Sequence, residues 1–335
     1  MTADVKKSKS CLDKREALVL AADLGGTNFR LALITPHGEI IQRQSQPTAV
    51  GEGKEVLMGQ MATAMRESTA AAGIEPGHIR AVGIGIPGLV EPDTGRVVKA
   101  PNVPELDGAM LGSELGRLVP WPVVIDNDAN LFALGEHYLG AGRGEKNLLG
   151  MTLGTGVGGG LVLDNKLWRG GKGTAAEIGH ITIDPEGERC NCGNYGCLET
   201  LASASWTVEW VAAQLEAGAA SSLQAPWRQT PQEFSAYLIH QAAVAGDPLA
   251  QRAFQRVGRA LGIAIADVVH LLGLQTIILG GKFARAWDQF IGALDAELEK
   301  RLTFFRRSDI SVRPAMLDDN AGLLGAARMA WDLGL

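Results

Sequence analysis

The stretch that decides the fold is Leu18-Val-Leu-Ala-Ala-Asp23-Leu-Gly-Gly-Thr-Asn28-Phe-Arg-Leu-Ala-Leu-Ile34. An apolar run, Leu18–Ala22, enters a glycine turn, and a second apolar run, Phe29–Ile34, leaves it at once. Both runs are too short for a helix and are bounded by turn residues, so they read as paired strands. Pro36-His37-Gly38 reads as a further turn and Glu39–Gln44 as a third strand, completing an antiparallel meander. The same plan restarts at Asn147–Leu153, passes through the glycine turn Gly154-Thr-Gly-Val-Gly-Gly-Gly160, and continues into Leu161–Leu163. An Asp164-Asn165 turn and a strand starting at Lys166–Trp168 follow. The recurrence predicts an internal duplication.

Outward from these two meanders, helical spacing covers Val56–Ala72 and Asp128–Tyr138. Ala81–Ile86, ending in Pro87-Gly88, and Val123–Ile125 read as buried strands. Beyond Leu198 the chain is largely helical, over Ser203–Ala213, Pro231–Ala245 and Pro248–His270. Ala219–Thr230 reads as a loop-like insertion. Thr276–Leu279 is a strand running into Gly280-Gly281, and helices are expected over Ala286–Leu302 and Ala321–Asp332. The division this predicts is a polar tail over 1–17, a smaller α/β domain over 18–126, and a larger one over 127–317.

The bulk properties narrow the function classes. At 335 residues the chain fits about two domains. A net charge of −6 lacks the electrostatic footprint of a general nucleic-acid binder. The most apolar stretch, Leu261–Gly281, is broken by Asp267, His270 and Gln275, so no membrane span is expected. The apolar run Ala17–Ala22 is shorter than a signal-peptide core, and the expected compartment is the cytosol. Glycine, at 43 residues or about 13%, exceeds the usual level of about 7% and points to backbones that approach a ligand closely.

Those glycines sit in specific loops. Asp23-Leu-Gly25-Gly26-Thr27-Asn28 reads either as a hairpin turn with a capping Asp, or as a cradle of backbone N–H groups for phosphate oxygens with Asp23 holding a Mg²⁺-bound water. Gly154-Thr155-Gly156-Val157-Gly158-Gly159 matches the dinucleotide fingerprint, as do Gly83, Gly85 and Gly88. A strand rather than a helix follows the former, and Leu89-Val-Glu-Pro92 follows the latter, which disfavours that reading. No Walker A sequence and no protein-kinase signature is present. Two glycine hairpins in duplicated halves, with Gly280-Gly281 as a third element, fit one nucleotide held in a cleft. The expected fold class is therefore α/β, with two actin-like ATPase domains of the ribonuclease H-like, hexokinase type and a cleft between them.

Two further groups carry chemistry. Asp128, in Ile125-Asp-Asn127-Asp128-Ala-Asn130, lies where a strand meets a helix; it reads as an N-cap or as a general base for a hydroxyl proton. His180 with Cys190, Cys192 and Cys197 makes a Cys₃His set, the composition of a closed structural Zn²⁺ site. Glu177 and Glu199 flank these ligands and read as surface charge or as acceptors for the hydroxyls of a polyol.

The combination resembles the ROK sugar kinases, in particular the bacterial glucokinases of that family. The likeness runs from about Leu18 to the C-terminus. It is carried by Asp23–Asn28 with Arg30, Gly83-Ile-Gly-Ile-Pro-Gly88, Ala100-Pro-Asn102, Asn127-Asp-Ala-Asn130 with Ala133-Leu-Gly-Glu136, and Gly154–Gly158. The block Glu177-Ile-Gly-His180 with Cys190-x-Cys-Gly-x-x-Gly-Cys-Leu-Glu199 completes it. The resemblance implies ATP-dependent phosphorylation of a hexose, D-glucose foremost, with Asp128 as base. N-acetylmannosamine, N-acetylglucosamine, fructose and allose are the alternative sugars, and polyphosphate an alternative donor. It implies sugar contacts from Asn102, Asn127, Asp128, Glu177, His180 and Glu199. It implies ATP contacts from Asp23, Gly25, Gly26, Thr27, Asn28, Gly154, Thr155, Gly156, Gly280 and Gly281. His180, Cys190, Cys192 and Cys197 match the family's zinc ligands. It further implies a final helix over about 318–335 returning to the N-terminal domain, domains that close on the sugar, and a homodimer. The repressors of the family carry a helix-turn-helix ahead of this part; with 22 residues before Asp23, a repressor is not expected.

Overall fold

The computed structural model describes residues 17–333, so residues 1–16 of the expected polar tail, with Cys11, lie outside them. The first half runs β1 (Leu18–Leu24), β2 (Asn28–Ile34), β3 (Ile40–Pro47), α1 (Lys54–Ala71), β4 (Ile79–Ile86), β5 (Leu89–Glu91), β6 (Arg96–Lys99), α2 (Leu111–Leu115) and β7 (Val123–Asn127). Helix α3 (Asp128–Leu139) leads to β8 (Leu148–Leu153), β9 (Val157–Leu163) and β10 (Lys166–Trp168). Then come α4 (Leu198–Ala202), α5 (Ala204–Glu216), α6 (Gln224–Gln229), α7 (Ala236–Val244) and α8 (Pro248–Leu272). The chain ends through β11 (Thr276–Gly280), α9 (Trp287–Arg301), β12 (Ser311–Pro314) and α10 (Ala321–Trp331). No helix among the described residues is long and apolar enough to cross a membrane.

The duplication is explicit in the strand pairing. One five-stranded sheet has the order β3-β2-β1-β4-β7 and the other β10-β9-β8-β11-β12. In each, two antiparallel pairings are followed by two parallel ones. The two sheets are the actin-like ATPase fold twice over.

Strand β1 shows how the sequence builds the layers. Leu18, Leu20 and Leu24 point to one face and pack with Leu57, Met61 and Met65 of α1. Val19 and Ala21 point to the other and meet Leu323, Ala326 and Ala327 of α10, as the period-two alternation of a strand requires. Ala21, Ala32 and Ala81 keep this layer thin, and a Cβ at Gly83 of β4 would run into the backbone of Ala326. Helix α3 is shared: Leu131 and Leu134 join the layer formed with α10, while Phe132 and Ala133 pack with Leu148, Val162 and Ile278 of the second sheet.

Several boundaries differ from the sequence reading. The expected loop over 219–230 contains α6, and the expected single helix over 231–245 is a short 3₁₀ turn, Pro231–Glu233, followed by α7. Ser235 is extended (φ −145°, ψ 162°) and breaks the two apart. Strand β3 runs on to Pro47 because it pairs with β2 back to Asn28. The β5–β6 hairpin was not expected. By contrast α8 begins and ends where its chemistry dictates. Asp247 accepts from the N–H groups of Leu249 and Ala250 at 2.9 and 3.0 Å, Pro248 takes the first turn, and Gly273 (φ 67°) stops it.

Candidate active site

Between the halves lies a cleft of about 1310 Å³. The first half contributes Asn102, Asn127 and Asp128 to its wall; the second contributes Gly154, Thr155, Gly156, Glu177, His180, Glu199 and Gly281. Residues from 102 to 281 thus meet at one hollow.

The β7–α3 junction positions Asp128. The cap of α3 is Asn127, not Asp128: its Oδ1 accepts from the N–H groups of Ala129 and Asn130 at 2.9 and 3.1 Å, and its Nδ2 donates to the Gly88 carbonyl at 2.8 Å. Asn127 has the extended backbone of a cap (φ −64°, ψ 142°), and Asp128 is the first helical residue. That frees Asp128, whose Oδ1 accepts at 2.9 Å from the N–H of Ala129. Asp128 is exposed by surface area, but the surface it exposes lies inside the cleft, between the walls of the two halves. Its pKa is pushed up from 3.8 to about 7, first by burial, then by the negative charge of Asp23, with Glu177 adding to it. Burial likewise raises the carboxyl of Asp23 despite its ion pair with Arg30.

The opposite wall is built by the loop that carries His180 and the three cysteines and by the second glycine turn. Glu177 follows Ala176, a non-glycine residue in the left-handed region (φ 63°). Burial lifts the Glu177 carboxyl above its ordinary range, the nearby His180 opposes that, and Glu199 adds to it. Glu199 sits in the first turn of α4, and its Oε2 accepts from the N–H of Val157 at 3.0 Å. A Cβ at position 156 would meet that carboxylate, so a side chain there would displace the Glu199 head group. The glycine turn and the acidic wall are therefore one unit.

His180, Cys190, Cys192 and Cys197 converge, with their ligand atoms all within 4.8 Å of one another. Cys190 Sγ lies 3.7 Å from His180 Nδ1, and Cys192 Sγ lies 3.7 Å from Cys197 Sγ. A tetrahedral site with metal–sulfur bonds of about 2.3 Å has ligand–ligand edges of about 3.8 Å, so both the donor set and the spacing fit a closed metal site. With Nδ1 turned to Cys190, His180 keeps its second ring nitrogen for the cleft it lines.

Asp23, Gly25, Gly26, Thr27, Asn28 and Gly280 do not line the cleft in this structure. The first glycine turn is closed by Gly25 N–H on Asn28 O at 2.9 Å, and Gly26 lies against Asn102, with Thr27 and Asn28 exposed. Gly280 faces Phe132. Conversely, sequence reasoning missed Thr174, Lys99, Tyr237, His240, Lys282, Phe283 and Arg285, all on the wall. Thr174 had a signal, three residues ahead of Glu177. Tyr237 and His240 had none, because α7 reaches the cleft only through helix packing.

The matching family model is that of the ROK family, over residues 19–332. A glucokinase of Thermotoga maritima is 35% identical over 311 residues, covering 92% of this chain and 96% of its own length. The structure of a ROK family glucokinase from Streptomyces griseus in complex with glucose and AMPPNP is similar at a TM-score of 0.78 and 30% identity, over 94% of this chain and 99% of that one. A ROK family transcriptional regulator, a homologue of the E. coli Mlc protein, is similar at a TM-score of 0.85 and 30% identity, over 95% of this chain and 79% of that one. With a matched family model spanning residues 19–332, nearly its whole length, the chain belongs to the ROK family.

Proposed function

We propose that this protein is an ATP-dependent hexose kinase of the cytosol, acting as a homodimer, that converts D-glucose to glucose 6-phosphate with Asp128 as general base. The observation that carries this reading is the Asp128 carboxylate, set opposite Glu177, His180 and Glu199 in one cleft with its pKa near 7. A base is most effective when its pKa lies near the working pH, and such a group accepts the hydroxyl proton as the sugar oxygen attacks phosphorus. Asn102, Asn127, Glu177, His180 and Glu199 orient the sugar hydroxyls. The N–H groups of the Gly154–Gly156 turn cradle the phosphates, and Gly281 approaches the nucleoside. The first glycine turn, next to Asn102, comes over the phosphates as the halves close. Asp23 is the residue to hold Mg²⁺ through water: its negative charge reaches Asp128 and helps raise that carboxyl, and two carboxylates so placed make a field that suits a divalent ion. When bound, Mg²⁺ neutralises phosphate charge. Zn²⁺ is the metal proposed for His180, Cys190, Cys192 and Cys197, where it braces the acidic wall.

The test is ADP release with glucose, N-acetylmannosamine, N-acetylglucosamine, fructose and allose, each with ATP and with polyphosphate. Glucose with ATP is expected to have the highest kcat/KM; preference for another sugar or donor overturns the substrate assignment. The likeness to a transcriptional regulator supports a second reading, sugar sensing without turnover. Sugar binding with no ADP release from any pair favours it.

The pH dependence follows from the same carboxylate. The base acts only when deprotonated, and its pKa is raised to about 7. kcat/KM for the sugar is therefore expected to rise about tenfold per pH unit up to about 7, then level off. A rise that is complete by pH 5, as for an ordinary carboxylate, contradicts the raised pKa.

A further inference from the structure

We propose that Arg169 is a positioning residue, tying the sugar-side loop of the second half to the strand end that carries the catalytic base; this rests on the sugar-kinase reading above. Arg169 follows β10 directly, yet its Nε donates at 2.5 Å to Oδ2 of Asp126 in β7, a strand of the other sheet. The Asp126 side chain is 1% exposed. Its second oxygen accepts from the Asn127 N–H at 2.7 Å and from Asn130 Nδ2 at 2.9 Å, the residues that bracket Asp128. Asn130 is buried, and its own Oδ1 has no hydrogen-bond partner among the described residues. The amide is thus oriented for Asp126 at the expense of its other end, the pattern of a group held for position.

The loop that starts at Arg169 reaches the first half a second time. Ala175 N–H bonds back to the Arg169 carbonyl at 3.1 Å, and Gly173 (φ 76°) lies against the Val90 carbonyl of β5 where no Cβ fits. Immediately beyond these two fixed points, Thr174 and Glu177 enter the cleft wall, with the left-handed Ala176 between them. Arg169 therefore holds at once the approach to Glu177 and, through Asp126, the first turn of α3. Removing the guanidinium leaves a buried carboxylate without its cation, and the first turn of α3 must rearrange to rehydrate it.

Arg169→Gln is expected to lower kcat about 10²-fold, the scale of an ångström-sized misplacement at a reacting centre. It should raise the sugar KM about tenfold and leave the ATP KM within about twofold. A residue that only supports folding would lower the melting temperature and the active fraction while leaving both KM values and per-site kcat unchanged, and that result overturns the proposal. Arg169 also lines a second cavity of about 630 Å³, a volume larger than that of a small guanidinium ion, with Val124 and Ile125 of β7 on its wall. Methylguanidinium is therefore expected to restore turnover to Arg169→Ala; no rescue, with wild-type constants in Arg169→Gln, overturns it. Hydrogen exchange supplies an arm independent of catalysis. In Arg169→Ala, amides at 129–130 and over 170–176 are expected to exchange faster together, and unchanged exchange in either segment sinks the tie. Wild-type protein that releases no ADP with any sugar would overturn the kinase reading alone, leaving the exchange arm to decide this one.

Discussion

Asp128→Asn is expected to lower kcat by about 10²–10⁴-fold, the usual cost of losing a general base. The substitution isolates the proton transfer. Asn127 caps α3, and an amide oxygen at 128 can still accept from the Ala129 N–H, so the helix and the cleft wall stay in place. Sugar affinity, read by equilibrium binding, is expected to change little. The variant should also be more stable than wild type at pH 8. The folded-state pKa of Asp128 is raised from 3.8 to about 7, so the folded protein holds this proton more tightly than the unfolded chain. Stability then falls as pH rises between these values and stays low above them, and asparagine removes that loss. At pH 3 the two melting temperatures should converge. Near-wild-type kcat in Asp128→Asn rules out Asp128 as the base.

The second large effect is expected at the Cys₃His cluster. Purified protein should carry about one zinc per chain, and Cys192→Ser should lose it and raise the sugar KM about 10–100-fold, the scale seen when a metal site's supporting contacts are broken. The ATP KM should stay within about twofold. His180 is the link: Nδ1 faces Cys190 at 3.7 Å, so its ring angle, and with it the wall shared with Glu177 and Glu199, depends on the cluster staying assembled. Cys192 is the exposed member, whereas Cys190 and Cys197 are buried, so its replacement disturbs the core least. Metal-free protein as purified, or equal changes in both KM values, defeats the idea of a braced sugar wall.

The local chemistry of this chain was readable without coordinates wherever a residue type admits few alternatives. Short apolar runs around glycine turns specify hairpins, and their recurrence predicted an internal duplication, which the structure extends to two five-stranded sheets of one pairing order. Three cysteines and a histidine have little else to do in such a pattern, and they converge as their types imply. The expected helix Pro248–His270 agrees with α8, Pro248–Leu272, to within two residues, because helical spacing and a proline in the first turn are local signals. What depended on distant partners was not legible. β3 extends to Pro47 because β2 is there to pair with it, and α7 starts at Ala236 because Ser235 is held extended. The choice between Asn127 and Asp128 as cap turns on backbone angles that two adjacent capping residues leave open, and on the Gly88 carbonyl that takes Asn127's amide.

By itself the sequence determined the duplicated fold and the Cys₃His cluster. Only the tertiary structure decided that Asp128 is the carboxylate left uncapped and raised to about 7, that Tyr237 and His240 reach the cleft, and that Arg169 meets Asp126 across the halves. The reason is one of range. Turn, cap and ligand preferences act over a few neighbouring residues, whereas burial, charge–charge coupling and cross-sheet contacts arise only when strands such as β7 and β10, remote in sequence and in different sheets, are folded against a common helix.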